Sequence, residues 1–317
     1  MNLRQQNLQQ WLTATCHLKS CQLTLLPGDA SFRRYFRVHL PEASYIAMDA
    51  TAERASCVPF VAIANALRER GLCTPEIYGF DKEQGFLLLS DFGDQLLLKK
   101  LNNNAEKYYT KALDALAVAQ TCREIKGWTL PLFTADFMRN ELQQFKEWFL
   151  QKHMGLILSA QDEIELAACF DFLAESAAAQ PQVFMYRDFH SANLMVLPND
   201  QLGLLDFQDA FIGPLTYDLV SLLRDCYIAW PEKIVTKLVL QYHQQLSLKI
   251  SAEEFIRWFD LMGLQRHLKA LLTFSRKYHR DGNANYLQHI PRTLNYILTV
   301  ASRYPECQSL SRMLCAQ

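Results

Sequence analysis

The sequence predicts an α+β fold in which a β-rich N-terminal lobe, residues 1–92, precedes a mostly helical C-terminal lobe, residues 93–317. Strand-like runs separated by turn residues fill most of the first part, whereas helical periodicity dominates the second. Two short apolar strands, 194–197 and 202–207, interrupt the helical part. A chain of 317 residues is long enough for one large or two modest domains.

The N-terminal lobe is predicted to contain two helices and five strands. Turns rich in Pro, Gly and Asp separate the strand-like runs, and Ser56 and Gly71 suit the start and the end of the second helix. The predicted helices span 3–18 and 56–71, and the predicted strands span 22–26, 35–40, 44–48, 76–80 and 85–90.

The C-terminal lobe is predicted to be helical apart from one hairpin. Apolar residues recur at helical spacing over 105–126, 134–152 and 160–179, and again from Tyr217 to the end of the chain. The strands 194–197 and 202–207 form the hairpin, because a Pro-Asn-Asp turn joins them.

The composition and the spacing of the cysteines argue against several kinds of partner and metal site. Lys and Arg number 32 against 33 Asp and Glu, so the net charge of -1 favours neither nucleic acid nor an anionic membrane as partner. No two of the nine cysteines stand in a C-x-x-C pair, which argues against structural zinc. The N-terminus lacks the apolar core of a signal peptide, and we expect a cytoplasmic protein without a membrane span.

The segment with the most specific chemistry contains Asp188, Asn193 and Asp206. Asp188 and Asn193 are five residues apart, as in the kinase catalytic loop H-R-D-x-x-x-x-N, and Asp206 follows the predicted hairpin. Phosphoryl transfer needs a carboxylate beside the attacking hydroxyl and hard oxygen ligands that hold Mg²⁺ against the phosphates of ATP. We therefore predict Asp188 as the catalytic base and Asn193 and Asp206 as magnesium ligands.

Two further segments are predicted to bind the nucleotide. A glycine-containing turn between two strands is followed by arginines, a combination that suits phosphate oxygens. The run 86–94 lies where the lobes would join, where backbone groups can meet adenine. Taken alone, these segments would be an ordinary hairpin turn and a buried strand that ends in an acidic turn. The predicted nucleotide-binding residues are Gly28, Ser31, Arg33, Arg34, Leu89, Asp91 and Phe92.

These segments resemble the aminoglycoside and choline phosphotransferase superfamily, whose members have a protein-kinase-like fold. The resemblance is greater to one branch, the anomeric amino-sugar kinases of bacterial cell-wall recycling. It extends over both lobes and includes GDASFRRYFRV at 28–38, DFHSANLMVL at 188–197 and the long stretch 204–232. It implies an ATP- and Mg²⁺-dependent kinase that phosphorylates N-acetylmuramate and N-acetylglucosamine at the anomeric hydroxyl. A uridylyltransferase acting on the sugar 1-phosphate is the implied pathway partner.

The sequence departs from the kinase pattern at two positions. Tyr186 stands where the catalytic loop usually begins with His, and Met48 stands where the third strand usually carries a phosphate-binding lysine. Arg33, Arg34 and Arg37 are the nearest cations in sequence, and the pattern leaves open which of them meets ATP. The branch that the chain resembles also has this arginine-rich loop.

Alternative functions remain open at this point. A kinase for an aminoglycoside, choline or an amino alcohol is the nearest alternative, and a nucleotide-binding pseudokinase is another. A protein kinase is disfavoured because no A-P-E segment follows Asp206. Basic residues of the C-terminal part, among them Arg266 and Arg276, suit the lactyl carboxylate of N-acetylmuramate, although most single arginines lie on solvated surface. The candidate substrate-binding residues are His190, Asp209, Arg224, His279 and Arg280.

Overall fold

The computed structural model describes residues 3–27 and 33–315. The α-helices of these residues are α1 (Leu3–Ala14), α2 (Cys57–Glu69), α3 (Leu97–Gln120), α4 (Ala135–Phe145), α5 (Ala160–Ala178), α6 (Tyr217–Leu223), α7 (Glu232–Leu246), α8 (Ala252–His279), α9 (Ile290–Ala301) and α10 (Gln308–Cys315). The strands are β1 (Gln22–Leu25), β2 (Arg34–His39), β3 (Ser44–Asp49), β4 (Ile77–Asp81), β5 (Phe86–Ser90), β6 (Gln182–Met185), β7 (Leu194–Val196), β8 (Leu202–Leu204) and β9 (Phe211–Pro214). A π-helical segment, Lys146–His153, continues α4.

The chain divides into two compact units. Unit 1 consists of Met1–Lys100, Glu124–Leu130 and Asn193–Asp209, and unit 2 of Leu101–Arg123, Pro131–Ala192 and Ala210–Gln317. The predicted lobe boundary between residues 92 and 93 stays a prediction. No helix in the described part of the chain is long and apolar enough to cross a membrane.

Unit 1 is built on a five-stranded antiparallel sheet. Its strand order is β1-β2-β3-β5-β4, so the predicted strands of the N-terminal lobe pair with one another. Alternation along β2 and β3 buries side chains such as Val38 and Ala47 on one face. Helix α1 covers that face with Leu8, Trp11 and Leu12, which form one apolar cluster with the strand residues.

The predicted hairpin forms β7 and β8, which pair Leu194 with Leu204. All six strand residues are buried, and the backbone N–H of Leu204 donates to the Cys73 carbonyl at 2.8 Å. The prediction that the second strand reaches residue 207 is wrong, because Asp206 has a φ of +65° and so leaves the extended conformation. Strand β8 therefore ends at Leu204, two residues before Asp206, the predicted magnesium ligand.

Unit 2 is mostly helical, with α8 at its centre. Apolar residues of α4, α5, α8, α9 and α10 pack into one buried cluster that includes Phe145, Leu264 and Ile297. The sequence pattern did not predict β6 and β9, which pair Phe184 with Ile212 in a two-stranded sheet. These strands are only four residues long, which is too short for a two-residue period to be distinguished from an apolar run.

The N-terminus of α2 also differs from the prediction. A 3₁₀ turn, Thr51–Ser56, precedes the helix, and Ser56 already has helical dihedral angles. Its hydroxyl donates to the Glu53 carbonyl at 2.8 Å and does not cap the helix. The turn places Glu53 close to the start of β2, where it meets Arg33.

Candidate active site

A buried carboxylate fixes the start of the loop that carries Asp188. Asp218, in the first turn of α6, accepts the backbone N–H groups of Tyr186 at 2.6 Å and Arg187 at 2.9 Å. Arg187 has a φ of +79°, so the loop turns sharply just before the predicted base. Burial raises the pKa of Asp218 to about 7, although the two N–H groups act in the opposite direction.

A second buried carboxylate holds the other end of this loop. Asp225 accepts the backbone N–H of Ser191 at 3.0 Å and the Ser191 hydroxyl at 2.5 Å. It also accepts the N–H of Tyr227 at 2.8 Å. Tyr186 and Phe189 are fully buried and meet edge to face, with ring centroids 5.2 Å apart. The loop is therefore anchored on both sides of Asp188, and its backbone is fixed before any substrate binds.

Asp188 lies in a cationic environment. Burial on its own raises the pKa of the Asp188 carboxyl, but the charges of Lys269, His190, Arg187 and Arg266 lower it, Lys269 most, and the pKa lies below its ordinary value. Asp188 is therefore ionised at neutral pH and can accept a proton. Lys269 was not among the predicted site residues; it lies on α8 between the buried residues Leu268 and Ala270. The signal available in the sequence was a single lysine next to the apolar residues Leu268 and Ala270, since lysine is seldom found in apolar surroundings.

Asn193 and Asp206 lie side by side in unit 1. The Asn193 amide nitrogen is 3.4 Å from the nearer Asp206 carboxylate oxygen, and the Asn193 carbonyl accepts the backbone N–H of Leu205 at 3.0 Å. Gln208 donates to Asp206 at 2.8 Å and to Asp209 at 3.1 Å. One carboxylate and one amide are hard oxygen donors of the kind that bind Mg²⁺ together with phosphates and water, so the residues fit this ion.

Arg33 joins the same region of unit 1. Its Nε atom is 3.2 Å from Glu53 Oε2, and its Nη2 atom is 3.7 Å from Asp209 Oδ2. Burial lowers the pKa of Arg33, but Tyr35, Asp206, Asp209 and Glu53 raise it above its usual value, so the guanidinium stays charged. Arg33 is thus a half-buried cation next to Asp206, the predicted magnesium ligand, and Asp209, a candidate substrate-binding residue.

The other two arginines of the loop have different partners. Arg34 is the first residue of β2 and donates to the buried Asp49 at 2.6 Å, a carboxylate that also binds Arg4 at 2.8 Å. Arg37 donates to Asp91 at 2.7 Å and also reaches Asp94. These contacts tie β2 to β3 and to the segment after β5.

The predicted connector residues belong to unit 1. Leu89 is buried in β5 opposite Ile46, and the Asp91 carboxylate accepts the N–H of Gly93 at 2.8 Å in addition to its Arg37 contacts. The ring of Phe92 packs directly on Gly203, where a Cβ atom would stand 2.7 Å from the ring. Gly203 is therefore required by close packing. Gly28 and Ser31, predicted to contact phosphate, lie outside the described residues.

The remaining candidate residues occupy different places. His190 is buried beside Asp188 and meets the ring of Tyr227 at 5.3 Å, and Asp209 lies against Gln208 and Arg33 as described. Arg224 is 2% exposed and pairs with Asp260 at 2.7 Å, which favours a structural role. His279 is exposed, 3.3 Å from His153, and Arg280 is exposed and pairs with Asp281 at 2.7 Å.

The chain is similar to known proteins in both sequence and fold. A family model described as the phosphotransferase enzyme family matches residues 22–259. The chain is 41% identical to the N-acetylmuramate/N-acetylglucosamine kinase of Pseudomonas aeruginosa over 92% of its own length and 88% of that protein. It is 36% identical to the enzyme of the same name from Neisseria meningitidis serogroup B, over 98% and 95%.

A solved structure shares the fold. The crystal structure of an ADP-bound aminoglycoside phosphotransferase matches with a TM-score of 0.64 and 14% identity, covering 92% of this chain and 97% of that one. The predicted α+β, kinase-like fold class is confirmed by this likeness.

Proposed function

The chain belongs to the phosphotransferase enzyme family, and on that premise we propose that it transfers the γ-phosphate of ATP to the anomeric hydroxyl of an amino sugar. The acceptors are N-acetylmuramate and N-acetylglucosamine, the sugars in the names of relatives that match over most of the chain. The reaction takes place in the cytoplasm, where ATP is available.

The observation that carries the proposal is the state of Asp188. Its loop is fixed at both ends by buried carboxylates, and the cations around it keep its carboxyl ionised. A fixed, ionised carboxylate can accept the proton of an acceptor hydroxyl as that oxygen attacks phosphorus. The anomeric hydroxyl of a sugar is more acidic than an ordinary alcohol, so a base of modest strength is adequate.

The residues of unit 1 hold the nucleotide in this proposal. Asn193 and Asp206 would hold Mg²⁺, and the ion would supply positive charge to the phosphates of ATP. Arg33 supplies the positive charge that a third-strand lysine gives other kinases, and Glu53 and Asp209 orient its guanidinium. Gly28, Ser31 and the segment from Leu89 to Phe92 complete the predicted nucleotide contacts.

The alternative functions, a kinase for a cationic alcohol and a pseudokinase, differ from the proposed one in the residues that they require. Choline and aminoglycosides are cations, which the positive surroundings of Asp188 would repel. A pseudokinase has no need of an ionised base or of two potential metal ligands, and all three residues are present here. The amino-sugar kinase therefore fits these residues better than either alternative.

The proposed product is a sugar 1-phosphate. Such a phosphate at the anomeric carbon suits a later nucleotidyl transfer, so a uridylyltransferase is the proposed next enzyme.

A methyl glycoside tests the position of transfer. The methyl group blocks the anomeric oxygen of N-acetylglucosamine and leaves the 6-hydroxyl free. We expect ADP release from ATP with the free sugar and none above background with the methyl glycoside. Comparable rates with both compounds would refute transfer to the anomeric oxygen, and activity only with choline or kanamycin would refute the amino-sugar assignment.

A further inference from the structure

Helix α8 carries two cations on one face, and the first of them, Lys269, acts on Asp188. Lys269 and Arg276 are seven residues apart, which places them on the same side of the helix about 10 Å apart along its axis. Both side chains are half-buried. Lys269 lies in the field of Asp188 and Glu141, and Arg276 in that of Glu141 and Arg187. The two cations therefore border one region of unit 2.

Arg276 differs from other arginines of this unit in its partners. Within residues 3–27 and 33–315, no carboxylate oxygen lies within 4.0 Å of its guanidinium, and its Nη1 atom only donates to the Gln144 amide oxygen at 3.3 Å. Its Nε atom is buried without a hydrogen-bond acceptor among those residues. By contrast, Arg257 on the same helix pairs with Glu306 at 3.1 Å, and Arg280 pairs with Asp281.

The surroundings of Arg276 disfavour the positive charge of its guanidinium. Burial and the nearby charge of Arg280 lower the pKa of Arg276, and Arg187 acts in the same direction, while Asp281 and Glu141 partly oppose them. Glu141 is already engaged, since it accepts from Arg187 at 3.2 Å and from the amide of Gln265 at 3.2 Å. An added anion would supply the missing counter-charge and an acceptor for the buried Nε.

We propose that Arg276 binds the carboxylate of an acidic acceptor sugar and so determines specificity for N-acetylmuramate over its neutral analogue. The inference rests on the proposed function, because it takes Asp188 as the base that faces the reacting hydroxyl of the same sugar. The planar fork of an arginine matches a carboxylate with two parallel hydrogen bonds. A neutral sugar has no group to place there, so it gains nothing from Arg276.

The test compares two acceptors with one set of variants. Arg276→Gln removes the charge and keeps hydrogen-bonding capacity. We expect kcat/KM for N-acetylmuramate to fall about 10- to 100-fold, the range for a lost charged hydrogen bond, and kcat/KM for N-acetylglucosamine to stay within about 3-fold of wild type. Arg276→Lys should recover part of the activity on the acidic sugar. Arg257→Gln, on the same helix but paired with Glu306, is the matched control and should leave both values unchanged.

Each other outcome has a distinct meaning. An equal loss on both sugars in Arg276→Gln and Arg276→Lys would indicate a structural role and overturn the inference, as would unchanged kinetics on the acidic sugar. A wild-type enzyme active on N-acetylglucosamine alone would also overturn it, while leaving an amino-sugar kinase intact. A wild-type enzyme that phosphorylates neither sugar would refute the proposed function itself.

Discussion

Asp218 accepts the backbone N–H of Tyr186 at 2.6 Å, and this contact joins the first turn of α6 to the loop that carries Asp188. The same carboxylate accepts the N–H of Arg187. Two backbone donors, the buried N–H of Tyr186 and the part-buried N–H of Arg187, thus depend on one side chain, whose pKa lies near 7. The loop geometry and the pH dependence of stability are therefore linked through Asp218.

The raised pKa of Asp218 predicts a falling stability curve. In the folded state burial raises this pKa from 3.8 to about 7, so between these values the folded protein binds a proton that the unfolded chain has lost. The free energy of unfolding should therefore decrease as pH rises from 5 to 7 and level off above. Asp218→Asn removes this titration, so urea unfolding at pH 5, 6 and 7 should show a smaller decrease in the variant. Parallel curves would show that Asp218 does not titrate there.

Replacing the proposed base should separate chemistry from nucleotide binding. Asp188→Asn removes the proton acceptor but keeps the shape of the side chain, and general bases typically contribute ~10²–10⁴-fold. We expect kcat to fall by that factor, while the dissociation constant for ATP, measured by calorimetry, stays near wild type. A variant with wild-type kcat would remove Asp188 from the mechanism.

Lys269 should set the pH at which Asp188 becomes active. Burial raises the pKa of Asp188, whereas the Lys269 charge is the largest influence that lowers it. Lys269→Met keeps the length of the side chain and removes the charge, so the pKa should rise. The acid limb of the kcat/KM profile should move to higher pH, and Lys269→Arg should keep it in place. A limb that does not move in Lys269→Met would show that the ammonium does not act on the base.

Periodicity and motif spacing were enough to predict much of this protein. The strands of the N-terminal lobe, the hairpin before Asp206 and the order of Asp188, Asn193 and Asp206 are all local properties of the sequence. Local patterns carry this information because strands, turns and loop motifs are specified by residues close together in the chain.

Contacts between distant segments could not be predicted in this way. Lys269 lies on a later helix, 81 residues after Asp188 in the chain, and no local pattern reports that it acts on Asp188. The choice between Arg33 and Arg34 depended on where β2 begins, and the strand begins at Arg34. Boundaries of this kind vary by a few residues in any pattern-based prediction, and one residue decides which way a side chain points.

Arg33 and Arg34 should therefore give different phenotypes. Arg33→Ala removes the cation beside Asp206 and Asp209, and the KM for ATP should rise about 10-fold or more while the KM for sugar stays nearly constant. Arg34→Ala should instead lower the free energy of unfolding by about 1–3 kcal/mol, because it takes a partner from the buried Asp49. Normal ATP kinetics in Arg33→Ala would assign phosphate binding to another residue.

The two proposed magnesium ligands should differ in how far added metal can compensate for their loss. Asp206 offers a full negative charge to the cation, whereas the Asn193 amide offers only a dipole. Asp206→Ala should therefore abolish turnover at every practical Mg²⁺ concentration. Asn193→Ala should reduce turnover less, and raising Mg²⁺ should restore part of it.

A magnesium titration of ADP release in both variants measures this difference. Gln208→Ala provides a third, milder case, because this side chain donates through its amide to Asp206 and Asp209. Its loss should weaken the apparent affinity for Mg²⁺ and leave turnover at saturating metal close to wild type. Equal losses in Asp206→Ala and Asn193→Ala that no amount of Mg²⁺ restores would contradict the ranking, since a charged and a neutral ligand would then contribute alike.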